Sequence, residues 1–269
     1  MSCNLPVDDH SPRRYDAAMS KLLIIKTGSA PEPIAKAHGD FNEWFLVGLG
    51  LDSSQTMVVD VQSGQHLPAG MNDLAGVLVT GSPAMVSHRE EWSERAAAWI
   101  ASAHRAALPM LGVCYGHQLI AHALGGQVGP NPAGRRMGTK SVKIQTDSAD
   151  LLAGLDPVTD LHVTHVEAVL QPPPSSRVLA TTQGDPHHAL YFGQCTWGVQ
   201  FHPEFTVDIM ASYIHLRADE LRDESQSPEA LLNELKDAPD GPRLLRDFAA
   251  RLESCPAPLA CSDSDKASA

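Results

Sequence analysis

Three short stretches hold residues whose types and spacing suit one chemistry. The first is Gly112-Val113-Cys114-Tyr115-Gly116, a cysteine between two glycines. A cysteine acts at neutral pH as its thiolate, so it needs a cationic or dipolar neighbour and a base to move its proton. The second stretch, Phe201-His202-Pro203-Glu204, supplies the base. Pro203 fixes the backbone and removes a donor; in extended chain, residues two apart face one side. Glu204 can then accept one ring N–H of His202 and stabilise the imidazolium, while the other ring nitrogen faces the sulfur. The third is Thr80-Gly81-Ser82-Pro83, where Gly81 permits an unusual turn that frees the amide of Ser82. With the amide of Tyr115 it makes a two-donor oxyanion hole, each donor typically worth roughly 2.7–4 kcal/mol of barrier. The set is nucleophile, base, orienting acid and anion stabiliser. That is the machinery of acyl transfer.

These residues need elements that bring them together. Met110 to Val113 is a short apolar strand entered by Pro109, and His117 to Leu124 reads as a helix stopped by Gly125-Gly126. A strand, a sharp turn bearing Cys114 and a helix form a nucleophile elbow. The helix N-terminus turns its free amides and positive dipole end toward the sulfur, which favours the thiolate. Upstream, Lys21–Thr27, Thr56–Val61 and Leu74–Thr80 are buried strands, and Asp40–Leu49 and Glu90–Ala107 are helices. Short apolar strands with helices between them predict a mostly parallel sheet covered on both faces. Ligands bind beyond the carboxyl ends of such strands, where Ser82 and Cys114 both fall.

From Gln127 the pattern changes. Lys140–Thr146, Leu161–Val169, Arg177–Thr181, Ala189–Phe192 and Thr196–Phe201 are short strands that read as antiparallel hairpins extending one sheet edge. Thr206–Arg222, Pro228–Lys236 and Gly241–Leu252 read as helices. Residues 1–20 and 255–269 read as loose tails around a single domain over 21–254.

The order VTGSP, GVCYGHQ, GVQFHPE resembles the class I (triad) glutamine amidotransferases, over roughly Lys21 to Arg222. The resemblance implies the α/β fold of that family, flavodoxin-like, with a mostly parallel central sheet, flanking helices and an antiparallel edge extension. It implies a Cys114–His202–Glu204 triad that releases ammonia from glutamine through a γ-glutamyl thioester. It further implies substrate contacts at Gln118, in the GHQ motif, at Gly81, and along Thr164, His165 and Val166, where relatives carry a Ser-His or Asn-His motif. Asn131-Pro132 to Arg136-Met137-Gly138 resembles the family's segment between elbow and hairpin. Two departures stand out: Gly81-Ser82-Pro83 where many synthase-associated members have Gly-Gly-Pro, and Tyr115 where Leu is common. Both point to the stand-alone, GMP-synthase-like branch. The ammonia acceptor is then expected to be a separate synthase subunit.

The 269-residue chain carries a formal charge of −12 and no Lys/Arg run, which argues against nucleic-acid binding. No apolar run is long enough to span a membrane, and the first 20 residues lack the apolar core of a secretory signal. Five widely spaced cysteines, an odd number, are no disulfide framework, so a cytoplasmic location is expected. No cofactor or metal is expected. His117 and His122 are badly spaced for a shared ligand, Gly28-Ser29-Ala30 is no dinucleotide fingerprint, and His187-His188 reads as an exposed loop pair. Trp92 and Trp99 fall on one helix face and read as core.

Three rivals share parts of this pattern. A γ-glutamyl peptidase would use the same triad on γ-glutamyl amides or peptides. A cysteine hydrolase of the dienelactone type also has a GxCxG elbow, but expects its acid and then its histidine late in the chain. A regulatory protein could retain the fold without the activity, which an intact triad disfavours.

Overall fold

The computed structural model describes residues 20–146 and 150–252. The expected tails, with Cys3, Cys255 and Cys261, lie outside the described residues. In chain order the first half holds β1 (Lys21–Lys26), α1 (Glu32–His38), α2 (Phe41–Leu49), β2 (Thr56–Asp60), β3 (Leu74–Val79), α3 (Glu91–Arg105), β4 (Met110–Val113) and α4 (Tyr115–Ala123). The second half holds β5 (Gln127–Pro130), β6 (Arg136–Ile144), β7 (Val158–His165), β8 (Glu167–Gln171), β9 (Arg177–Thr182), β10 (Asp185–Gly193), β11 (Thr196–Val199), α5 (Val207–Leu216), α6 (Ala218–Asp223), α7 (Pro228–Asn233) and α8 (Asp240–Leu252).

Alternation along the buried strands makes the layers. Leu23, Ile25, Val77, Val79 and Met110 face α3 and α4, meeting Trp92, Ile100, Leu119 and Ile120. Their neighbours Leu22, Ile24, Leu78, Leu111 and Val113 face α2 and α8, meeting Phe45, Leu49, Leu244, Leu245 and Phe248. Both faces are thus covered, as parallel strands require. Among the described residues the main sheet runs β2-β1-β3-β4-β11-β10-β9-β6-β7. Pairing is parallel from β2 to β11 and antiparallel from β11 to β7, the expected edge extension. No helix among the described residues is long and apolar enough to cross a membrane.

Two expected elements divide. Leu161–Val169 breaks at Val166, whose carbonyl accepts the Asn131 N–H at 2.8 Å. Upstream, β7 pairs with β6; downstream, β8 leaves the main sheet to pair with β5. The expected helix Thr206–Arg222 bends at Arg217 into α5 and α6. Ile214 and Leu221 are fully buried on either side, so the apolar pattern runs through the bend without marking it. Helix α1 and strand β5 fall where no periodic signal marks the sequence.

The useful consequence is convergence. Thr27, Thr80, Cys114 and Gln200 each follow the carboxyl end of a parallel strand, so their neighbours share one end of the sheet.

Candidate active site

Cys114 sits between β4 and α4 with φ 51° and ψ −103°, a left-handed backbone that a side-chain-bearing residue rarely adopts. Such geometry costs on the order of 1–3 kcal/mol and persists only where neighbours over-determine it. Here the Cys114 N–H donates to Val199 O at 2.8 Å and the Gly116 N–H to Thr80 O at 3.1 Å. The flanking glycines are needed for close approach. A Cβ on Gly112 would lie 2.5 Å from Gly116 O, and one on Gly116 only 2.2 Å from Val79 O. Tyr115 turns its ring away, stacking on Trp92 with centroids 5.7 Å apart, and its hydroxyl shares a 2.6 Å hydrogen bond with Ser93. Burial pushes that hydroxyl up to about 12. The departure from Leu is therefore absorbed by α3, and what the residue offers the pocket is its backbone N–H.

His202 is held from three sides. The His202 N–H donates to His162 O at 2.8 Å, its Nδ1–H donates to Glu204 Oε1 at 2.8 Å, and Phe205 stacks on the ring at 4.1 Å. Nε2 is buried with no conventional hydrogen bond, and Cys114 is its electrostatic neighbour. Burial alone would depress the imidazole, but the Glu204 carboxylate and Cys114 outweigh it and raise His202 to about 10. Nearby histidines go the other way. Burial lowers His117 to about 3 and His162 and His165 to about 4, which keeps them neutral. One imidazole of these four is equipped to carry a proton.

The turn after β3 lies against this pair. A Cβ on Gly81 would be 3.2 Å from His202 Cε1 and 3.8 Å from Cys114 Cβ. Thr27, which sequence reasoning left in a strand, fixes the turn. Its N–H donates to Thr80 Oγ1 at 3.1 Å, and its hydroxyl reaches Thr80 O and Gly81 O, each at 3.0 Å. Ser82 Oγ accepts the Ala84 N–H at 3.1 Å. Among the described residues the Ser82 and Tyr115 N–H groups reach no acceptor. Both residues line the pocket over Cys114.

That pocket has a cavity of about 80 Å³. This is small beside the roughly 300–1,000 Å³ of a drug-sized site, and has room for only one end of a small molecule. Thr164, His165, Val166 and Glu167 form its inner wall, and the Thr164 carbonyl lies 3.8 Å from Cys114 Sγ. The wall is pinned at Glu167 O, which accepts His165 Nδ1–H and Gln118 Nε2–H, each at 2.8 Å. Gln118 Nε2 also donates to Gln200 Oε1 at 3.0 Å, so Gln118 presents its carbonyl oxygen to the pocket. Glu167 closes the same Thr164–Glu167 stretch, but its side chain was given no role in the sequence. The residue is 4% exposed and lines the pocket. Its carboxylate accepts the Ser87 N–H at 3.3 Å but has no ion-pair partner among the described residues.

His187-His188 needs correcting. Strand β10 begins earlier than expected, at Asp185, so the pair lies within it. His188 is fully buried, and its Nδ1 bonds the 1%-exposed Asp185 Oδ2 at 2.8 Å. Ligand-capable atoms of His165, Asp185 and His188 lie within 4.8 Å of one another, the one grouping with metal-ligand chemistry among the described residues. Its Nδ1 atoms are already engaged, by Glu167 O and Asp185, which suits a hydrogen-bonded brace behind the inner wall. His122 instead pairs with Glu94 at 3.0 Å on the surface.

The chain is similar to known proteins of one family. The family model described as glutamine amidotransferase class-I matches residues 47–216. A glutamine-hydrolyzing GMP synthase of Aeropyrum pernix is 38% identical over 141 residues, covering 52% of this chain and 25% of that protein. A glutamine-hydrolyzing GMP synthase subunit of Ignicoccus hospitalis is 41% identical over 97 residues, 36% of this chain and 50% of that one. The chain thus spans between a quarter and a half of these curated relatives. Among solved structures, a glutamine amidotransferase from Methylobacillus flagellatus superposes with a TM-score of 0.72 at 20% identity, covering 90% of this chain and 97% of that one. One from Thermotoga maritima gives 0.69 at 19% identity, covering 87% and 98%.

Proposed function

Because the chain is an enzyme of the class I glutamine amidotransferase family, we propose that Cys114, His202 and Glu204 cleave the glutamine side-chain amide through a γ-glutamyl thioester. The thiolate of Cys114 attacks the amide carbon, and the amides of Ser82 and Tyr115 hold the oxyanion. His202 donates its proton to the departing ammonia, and the C–N bond breaks. His202 then takes a proton from water, which attacks the thioester; the S–C bond breaks and glutamate leaves. Glu204 orients the imidazole and offsets its charge. The observation that carries this reading is the left-handed Cys114 facing a His202 whose Nδ1–H is committed to Glu204 at 2.8 Å.

The inner wall supports glutamine as the substrate. A buried carboxylate without a counter-charge is costly, and the α-ammonium group of glutamine offsets the charge of Glu167. Gln118 Oε1 and the backbone of Thr164–Val166 complete the grip. The relative named as a GMP synthase subunit supports a separate synthase as the consumer of the ammonia.

The test is ammonia release from glutamine by the wild type and by Cys114→Ala. The expected result is loss of turnover in the variant, with the wild type labelled at Cys114 by a glutamine-analogue electrophile. Undiminished turnover by Cys114→Ala would overturn the mechanism.

A further inference from the structure

The pocket over Cys114 has an inner and an outer half. Ser82, Cys114, Gln118, Glu167 and His202 lie within the family match at 47–216. The outer half takes Pro31 and Phe41 from before that match, Arg135 and Tyr213 from within it and Arg217 from just beyond it. A cavity with room for only one end of a small molecule leaves the remainder at this outer half.

Its polar groups are aimed with care. Tyr213 is 5% exposed, and its ring stacks on Phe205 at 5.1 Å, which in turn stacks on His202. Its hydroxyl has no hydrogen-bond partner among the described residues. Arg217 Nη1 donates to Glu220 Oε1 and Oε2 at 3.0 and 2.8 Å. Arg135 gives Nε to Glu224 at 2.9 and 3.1 Å and Nη2 to Glu220 at 3.1 Å. Glu224 and Glu220 thus hold the Nε/Nη2 edge of Arg135, and Glu220 also holds Nη1 of Arg217. Arg135 Nη1 and Arg217 Nη2 reach no acceptor among the described residues, and both side chains line the pocket. Glu220 and Glu224, like Arg217, lie outside the family match.

We propose that Arg135, Tyr213 and Arg217 form a rim that binds a carboxylate of a γ-glutamyl substrate. A guanidinium fixed along one edge is preorganised to give its remaining N–H groups to a carboxylate, and a phenol adds a neutral donor. Tyr213 keeps its proton, because burial and the charges of Glu204 and Cys114 all raise its pKa. The carboxylate has two sources: the substrate's own α-carboxylate, or that of an amino acid leaving in place of ammonia. In the second case the Cys114 step is unchanged, and the proton from His202 goes to the leaving amine. The proposal rests on the acyl-transfer reading given above.

The test compares KM for glutamine, γ-glutamyl methylamide and γ-glutamylglycine in the full chain and in Arg217→Gln, Arg135→Gln and Tyr213→Phe. A rise of roughly tenfold in KM for γ-glutamylglycine relative to the methylamide, with kcat within about twofold, assigns the rim to the leaving amino acid. An equal rise for all three substrates assigns it to the α-carboxylate. Partial rescue by Arg217→Lys shows that charge, rather than folding, is read. Calorimetric binding of glutamine and γ-glutamylglycine to Cys114→Ala reads the rim without turnover, so a failed mechanism and a failed rim are told apart. Unchanged KM in all three variants, or unchanged affinity when their substitutions are added to Cys114→Ala, overturns the proposal.

Discussion

Gly116→Ala is the most direct probe of how the elbow is held. The added Cβ would lie 2.2 Å from Val79 O, 2.8 Å from Val79 C and 2.9 Å from Val79 Cβ. Ordinary contact at these atoms is roughly 1 Å longer, so either α4 or β3 must recoil by about that distance. Backbone provides most of the obstruction, and no flexible side-chain tip can swing aside. Recoil of α4 stretches the 3.1 Å bond from the Gly116 N–H to Thr80 O, and carries Cys114 and the Tyr115 N–H with it. Overpacking of this kind typically costs about 1–3 kcal/mol, and a 1 Å misplacement of reacting groups costs about 10²-fold in rate. We expect kcat for ammonia release to fall about a hundredfold, with a loss of about 1–3 kcal/mol in urea unfolding and an unchanged far-UV spectrum. Gly70→Ala is the matched control, since nothing lies within 4 Å of its Cβ, and it should be neutral. Wild-type kcat in Gly116→Ala would refute the claim that this contact sets the geometry of Cys114.

Other outcomes follow from the electrostatics. Burial opposes the charged His202, and Glu204 is the largest influence raising it to about 10, so Glu204→Gln should lower kcat and move the alkaline limb of the pH–rate profile downward. A raised histidine stabilises fully below about pH 6.5 and loses that contribution as pH climbs through about 10, so the wild type should lose stability over that window and Glu204→Gln should not. Burial alone would raise Asp185, but its hydrogen bond to His188 outweighs that and holds it near 2. Its contribution is therefore present above its ordinary 3.8 and lost as pH falls toward 2. Asp185→Asn should cost about 2 kcal/mol in denaturant titration at pH 7, with a gap that narrows below pH 4. Glu167→Gln should raise KM for glutamine at least roughly tenfold, yet leave the free protein as stable as the wild type or more so, because it removes a buried charge that lacks a counter-ion. A fall in both affinity and stability would mean that Glu167 is a structural acid.

Local rules explain what was legible. The elbow, the His-Pro-Glu strand end and the Gly-Ser-Pro turn each carry their chemistry on residues within five positions of one another, so residue type and spacing reveal them. The parallel half of the sheet was legible because its strands are short, apolar and buried on both faces. The antiparallel extension was legible in kind, but Leu161–Val169 was read as one strand although it feeds two sheets. Nothing in its own residues reports that Asn131 takes the Val166 carbonyl from 35 positions upstream.

For the Gly-Val-Cys-Tyr-Gly turn, the sequence by itself determined a thiol on a sharp strand-to-helix bend, because only glycine survives where backbone meets backbone at Gly112 and Gly116. Tertiary structure decided what surrounds that thiol. Thr27 tying the Gly81 turn, Glu167 without a counter-charge in the wall, Asp185 and His188 behind it, and Arg135, Tyr213 and Arg217 at the rim come from segments far apart in the chain. Each looks ordinary among its sequence neighbours. They become a site because parallel strands deliver their carboxyl ends to one edge, and burial there makes every uncompensated charge and free N–H count.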